Sequence, residues 1–161
     1  MCQLLGMNCN VPTDICFSFE GFSARGGVTD HHSDGWGIAF FEGKGCRLFI
    51  DAKSTLESPV AELVKRYPIH SMNVIAHIRK ATQGAVALEN CHPFKRELWG
   101  HYWIFAHNGD LKTFYPKLAG RLNPSGRPTA SGPSVMCWKI FAARFPPVSR
   151  RAKPCTKSSP P

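Results

Sequence analysis

Trp36-Gly37-Ile38-Ala39-Phe40-Phe41 is an unbroken apolar run, and Cys46-Arg47-Leu48-Phe49-Ile50 follows it after only four residues, Glu42-Gly43-Lys44-Gly45. Two β-rich runs joined through two glycines, which tolerate φ > 0, read as a tight β-hairpin. A hairpin means antiparallel pairing. That argues against a sheet built only from alternating βαβ units and points to an α+β fold.

The flanking sequence extends this reading in both directions. Upstream, Cys2 to Met7 reads as a short buried strand. Val11-Pro12-Thr13-Asp14 reads as a turn, with Thr13 or Asp14 available to cap a short helix, and Ile15 to Phe19 is apolar enough to pack. Arg25 to Asp34, which includes His31-His32-Ser33, reads as a loop. Downstream, Ser58 can cap a helix whose first turn holds Pro59. Val60, Leu63, Val64 and Tyr67 fall at i, i+3, i+4 and i+7, the spacing of one helical face. Lys65 and Arg66 suit its C-terminal end, and Pro68 stops it. Val74 to Arg79 predicts a strand. Trp99 to Ala106 contains another, ending in His107-Asn108-Gly109. Met136 to Phe145 predicts a last helix.

Charge divides the 161 residues in two. Residues 1–110 carry ten Lys/Arg against all eleven Asp/Glu, a net −1, whereas residues 111–161 carry ten Lys/Arg and no acid. Nine of the thirteen prolines lie in that second part. The expected organisation is therefore a domain over residues 2–120 and a basic Pro/Ser-rich tail over 121–161. Such a same-sign, proline-rich segment buries too little apolar surface to offset its conformational entropy, so disorder is expected. No aromatics interleave with the bases between Gly120 and Val135, so no stacking platform for nucleic acid is expected.

No run approaches the roughly 20 apolar residues of a membrane span, and no secretory leader is read. The seven scattered cysteines then point to reduced thiols in a cytoplasmic protein. Cys2, Cys9 and Cys16 lie seven apart, and His31-His32 adjoin. Neither matches the spacing of a zinc site, so no metal is expected. No Walker-type phosphate loop or dinucleotide fingerprint occurs, so no cofactor is expected either.

Chemistry is expected first at Cys2. Removal of Met1 would leave one residue with both a thiol (ordinary pKa about 8.5) and a free α-amine (about 7.7–8.0). A nucleophile that carries its own base needs no distant histidine. A small buried cysteine near the N-terminus is the plainer alternative. Three further stretches lie in loops or at strand ends: His77-Ile78-Arg79-Lys80-Ala81-Thr82, Asn90-Cys91-His92-Pro93-Phe94 and His107-Asn108-Gly109-Asp110. Each alone is weak, since His-Asn-Gly is first of all a turn.

In this order after Met1-Cys2, together with Asp34-Gly35-Trp36-Gly37 and Leu88-Glu89-Asn90, these stretches resemble the class II, N-terminal-nucleophile glutamine amidotransferases. Within them the chain is similar to the stand-alone YafJ-like group, over residues 2 to about 120. The resemblance implies the N-terminal part of a four-layer α/β/β/α sandwich of two antiparallel sheets. It implies Cys2 as nucleophile on a glutamine or γ-glutamyl small molecule. Asn108 and Gly109 become oxyanion donors, Arg79 the grip on the substrate α-carboxylate, Thr82 an added hydrogen bond, and His92 a supporting residue. A homodimer stays open.

The sequence also departs from that family. An acidic residue shortly after the Asn-Gly turn binds the substrate α-ammonium in the family, whereas here the comparable stretch reads Arg127-Pro128-Thr129-Ala130-Ser131-Gly132-Pro133. No carboxylate side chain follows Asp110. The tail reads as a shifted frame or a truncated gene, with a divergent natural tail as the alternative. The expectation is no ammonia release above a Cys2→Ala control.

Overall fold

The structure, a computed structural model, describes residues 2–28, 32–81 and 85–109. The expected helix over Met136 to Phe145, the boundary near residue 120, the tail, His31 and Thr82 lie outside these residues.

Four strands form one antiparallel sheet in the order β1-β4-β2-β3: β1 is Gln3–Thr13, β2 Trp36–Glu42, β3 Gly45–Asp51 and β4 Ser71–Ile78. The β2–β3 hairpin forms as its sequence predicts, with Glu42 opposite Gly45 and Gly43 at φ 57°. The pairing aligns Trp36, Ile38 and Phe40 with Ile78, Ala76 and Val74 across the sheet, so these six side chains share one face. Helices α1 (Cys16–Ser23) and α2 (Pro59–Arg66) supply Phe19, Phe22, Ala61 and Val64 to the same core. Phe19 sits 5.5 Å from Trp36, centroid to centroid, and both are fully buried. Burying a side chain of this size contributes about 2–3 kcal/mol.

Four local expectations are corrected. β1 is longer than expected and runs through Val11-Pro12-Thr13, with a register shift between Asn8 and Thr13 in place of a turn. From Gln3 to Asn10 its residues alternate in exposure, because only the face with Leu5 and Met7 packs on the core. The helix that follows has Ile15 at its N-cap. Asp14 instead accepts the Cys16 amide at 3.1 Å. In α2, Ser58 does cap by accepting the Ala61 amide, and Pro59 opens the first turn. Its buried residues, however, are Ala61 and Val64, while Leu63 and Tyr67 are exposed. In a two-turn helix the buried side is set by its neighbours, here α1 and the sheet.

The remaining segment, after a short 3₁₀ turn at Leu88–Asn90, forms a second antiparallel pair, β5 (Phe94–Leu98) and β6 (His101–Phe105). β5 was not expected from its sequence. The segment leading into β5 crosses the sheet face away from the helices. Gly37 permits the crossing: a Cβ there would lie 2.5 Å from the His92 carbonyl oxygen and 2.7 Å from Ile50 Cγ2. The architecture is thus mixed α and β with antiparallel sheets. Among the described residues, no helix is long and apolar enough to cross a membrane.

Candidate active site

The residues singled out in sequence converge at one end of the four-stranded sheet. β1 begins there, β4 ends there, and Asp34-Gly35 leads into β2 beside them. Beyond the last β4 rung the chain stays tied to this corner. The Arg79 amide donates to the Gly35 carbonyl at 2.8 Å, and the Asp34 amide to the Arg79 carbonyl at 3.3 Å. Gly35 has φ 105°, and a Cβ on it would lie 2.5 Å from Cys91 Sγ, so only glycine fits. Cys91 is buried, and burial pushes its thiol up to about 11. It is a packing residue and not a reactive thiol.

Cys2 is half-buried. Its Sγ accepts the Lys80 main-chain N–H at 3.4 Å, and the thiol reaches the Lys80 carbonyl oxygen at 3.6 Å. On its other side Asn108 Nδ2 donates to the Cys2 carbonyl oxygen at 2.7 Å. Gly109 follows with φ 127°, a conformation that glycine adopts without strain. Arg79 immediately precedes the residue that touches the thiol and is 3% exposed. Its Nη1 donates to the Asp34 carbonyl oxygen at 3.4 Å.

His92 is 5% exposed, and its Nδ1 lies 3.3 Å from His77 Nε2. One of these two nitrogens carries the proton and the other accepts it, so the accepting ring is neutral. Burial is the main cause that disfavours charge on both rings. It pushes His77 down to about 4 and His92 to about 3, helped by the neighbouring histidines and by Arg79. His107 joins the cluster, with its ring centroid 4.9 Å from that of His92. His92 is thus buried and paired, next to the turn that carries Asn108.

The structure therefore brings together Cys2, Arg79, His92, Asn108 and Gly109, whereas Thr82 lies outside the described residues. Sequence reasoning gave no part to Asp34, to His77 or to the Lys80 backbone. Asp34-Gly35-Trp36-Gly37 belongs to the family resemblance, but nothing in it shows which residues lie across from it. An open depression of about 620 Å³, lined in part by Gly6, Asn8, Phe41, Asn73 and Ile75, contains none of the site residues. Among the described residues no group of three or more His, Cys, Asp or Glu is disposed to hold a metal ion.

The family of glutamine amidotransferases of class II matches residues 1–153, most of the sequence. The chain belongs to the class II glutamine amidotransferases. It is 63% identical over 126 residues to a Haemophilus influenzae protein, covering 78% of this chain and 43% of that one. It is 53% identical over 148 residues to YafJ of Escherichia coli K12, covering 91% and 57%. Both carry the name "Putative glutamine amidotransferase". The crystal structure of a predicted glutamine amidotransferase from Pseudomonas aeruginosa superposes with a TM-score of 0.61 at 40% identity, over 91% of this chain and 57% of that one. The chain spans about half the length of the curated relatives it matches. The family match runs past residue 120 into the basic tail.

Proposed function

We propose that this amidotransferase chain hydrolyses the side-chain amide of glutamine, or of a related γ-glutamyl compound, through Cys2. The Cys2 sulfur attacks the amide carbon, and the thiol proton passes to the departing nitrogen, which leaves as ammonia. Water then adds to the γ-glutamyl thioester, the sulfur leaves as the C–S bond breaks, and the thiol is restored. Once Met1 is removed, the Cys2 α-amine is the base nearest the thiol. The oxyanion formed in both steps calls for fixed donors, one of which is worth about 2.7–4 kcal/mol. Asn108 and the Gly109 amide are assigned that task. An amide nitrogen has two hydrogens, and the bond to the Cys2 carbonyl uses one. Arg79 is assigned the α-carboxylate, and Thr82 a further hydrogen bond. The observation that carries the reading is the 2.7 Å contact between Asn108 and Cys2. It sets the expected donor beside the expected nucleophile.

A second reading, a non-catalytic chain, is favoured by one observation: no carboxylate side chain follows Asp110, so no side chain of that stretch offers the substrate α-ammonium an opposite charge. A lost charge-assisted partner costs about 1.5–3 kcal/mol, roughly ten- to a hundredfold in binding. Ammonia release from glutamine, measured for the chain and its Cys2→Ala variant at matched concentration, separates the two. A rate that depends on Cys2 supports the hydrolase. Equal rates support the non-catalytic chain.

A further inference from the structure

Asp34 is the one carboxylate among the described residues that is bonded to the segment touching the Cys2 thiol. Its Oδ2 accepts the Ala81 amide at 2.7 Å. Its own amide reaches the Arg79 carbonyl, and its carbonyl accepts from Arg79 Nη1. The sheet ladder ends at Trp36 opposite Ile78, so residues 79–81 have passed the regular pairing of β4. Lys80, the residue bonded to Cys2 Sγ, lies between the two residues that Asp34 holds.

We propose that Asp34 is a positioning residue for Cys2. Its carboxylate pins the strap Arg79-Lys80-Ala81 through the Ala81 amide, and the pinned strap aims the Lys80 N–H at the sulfur. A thiolate is the reactive form of cysteine, and a hydrogen bond to a charged acceptor is stronger than one to a neutral acceptor. A fixed N–H at Sγ therefore holds the sulfur in one place and one direction. The proposal rests on Cys2 being the reacting residue, but its test reads the sulfur itself and needs no turnover of glutamine.

Direction separates this role from a simple charge effect. A carboxylate acting only through its charge would disfavour a nearby thiolate, so its removal would speed reaction of Cys2. A positioning carboxylate does the opposite. The experiment is alkylation by iodoacetamide near neutral pH, resolved by site with fragment mass spectrometry. Cys9 serves as the internal reference, since it lies on β1, the strand that follows Cys2, and is likewise half-buried. Asp34→Ala is expected to slow Cys2 relative to Cys9 by about fivefold, the factor that corresponds to one lost hydrogen bond of about 1 kcal/mol. Asp34→Asn keeps an acceptor oxygen of the same reach and is expected to stay within about twofold of the unmodified chain. An unchanged or faster Cys2 in Asp34→Ala overturns the proposal, as does an Asp34→Asn variant as slow as Asp34→Ala. Should Asp34→Ala fail to fold, Asp34→Asn and amide exchange in the unmodified chain decide. The Ala81 amide is expected to exchange at least about tenfold more slowly than in unstructured chain. Exchange at the unstructured rate overturns the proposal. Loss of ammonia release alone, with these results intact, would count against the hydrolase reading and leave the role of Asp34 standing.

Discussion

Asn108 donates its side-chain amide to the main-chain carbonyl of Cys2 across 2.7 Å, joining residues 106 positions apart. The contact is exposed, so its share in stability is modest, about 1 kcal/mol or less. Its consequence is placement: the turn that carries Gly109 is held beside the first strand of the sheet.

From this placement, Asn108→Ala is expected to lower turnover by about 10²–10³ with little change in KM, because an oxyanion donor acts on the transition state more than on the bound substrate. Steady-state kinetics on glutamine checks it, in whichever chain of the family shows turnover with these residues in place. A variant with unchanged kcat removes Asn108 from the role.

Processing is open to direct measurement. Cys2 is small enough for an aminopeptidase to release Met1, and the proposed base is the amine so freed. The intact mass of the purified chain is expected to be lower by one methionine residue. Full Cys2-dependent activity with Met1 retained would rule out the α-amine as base.

The paired histidines set a pH dependence of stability. His77 is held down to about 4 and His92 to about 3, against about 6.5 in an unfolded chain. Below pH 6.5 the unfolded state thus binds protons that the folded state refuses, so stability rises with pH across this window and is lost as the pH falls. The loss by pH 5 is on the order of 1–2 kcal/mol per ring. Thermal melts from pH 7 to 5 are expected to show a falling Tm, with a shallower slope in the His77→Gln/His92→Gln double variant. Identical slopes would show that other groups govern the acid limb.

Close packing over β2 yields the next expectation. An added Cβ at Gly37 meets the His92 carbonyl and Ile50 Cγ2 well inside van der Waals contact. Gly37→Ala is expected to cost about 1–3 kcal/mol and to lower Tm, since main chain must move to make room. Denaturant unfolding measures this. An unaltered midpoint would mean that the 91–94 segment does not lie on that face in solution.

Substitution of Arg79 probes the substrate grip. Arg79→Lys keeps the charge but loses the planar fork that matches a carboxylate, so KM for glutamine is expected to rise by about tenfold or more with a smaller effect on kcat. A fall in kcat alone would place Arg79 in the chemical step and not in binding.

What the sequence determined by itself is the set of features held within a few residues. The β2–β3 hairpin follows from its apolar runs and turn glycines, and the start of α2 from Ser58 and Pro59. The family was also legible, because short stretches in fixed order carry the resemblance, and they mark Cys2, Arg79, His92, Asn108 and Gly109 as candidates. The tertiary structure decided what depends on residues far apart in the chain. Which side of α2 is buried, Ala61 and Val64 with Leu63 left outside, is set by α1 and the sheet. The extension of β1 through Pro12 is set by Ser71, its partner 58 residues away. The His77–His92 pair and the hold of Asp34 on Ala81 join residues 15 and 47 positions apart. A hydrogen bond forms only where donor and acceptor come within about 3 Å, and that approach is created by strand pairing, which no local pattern records.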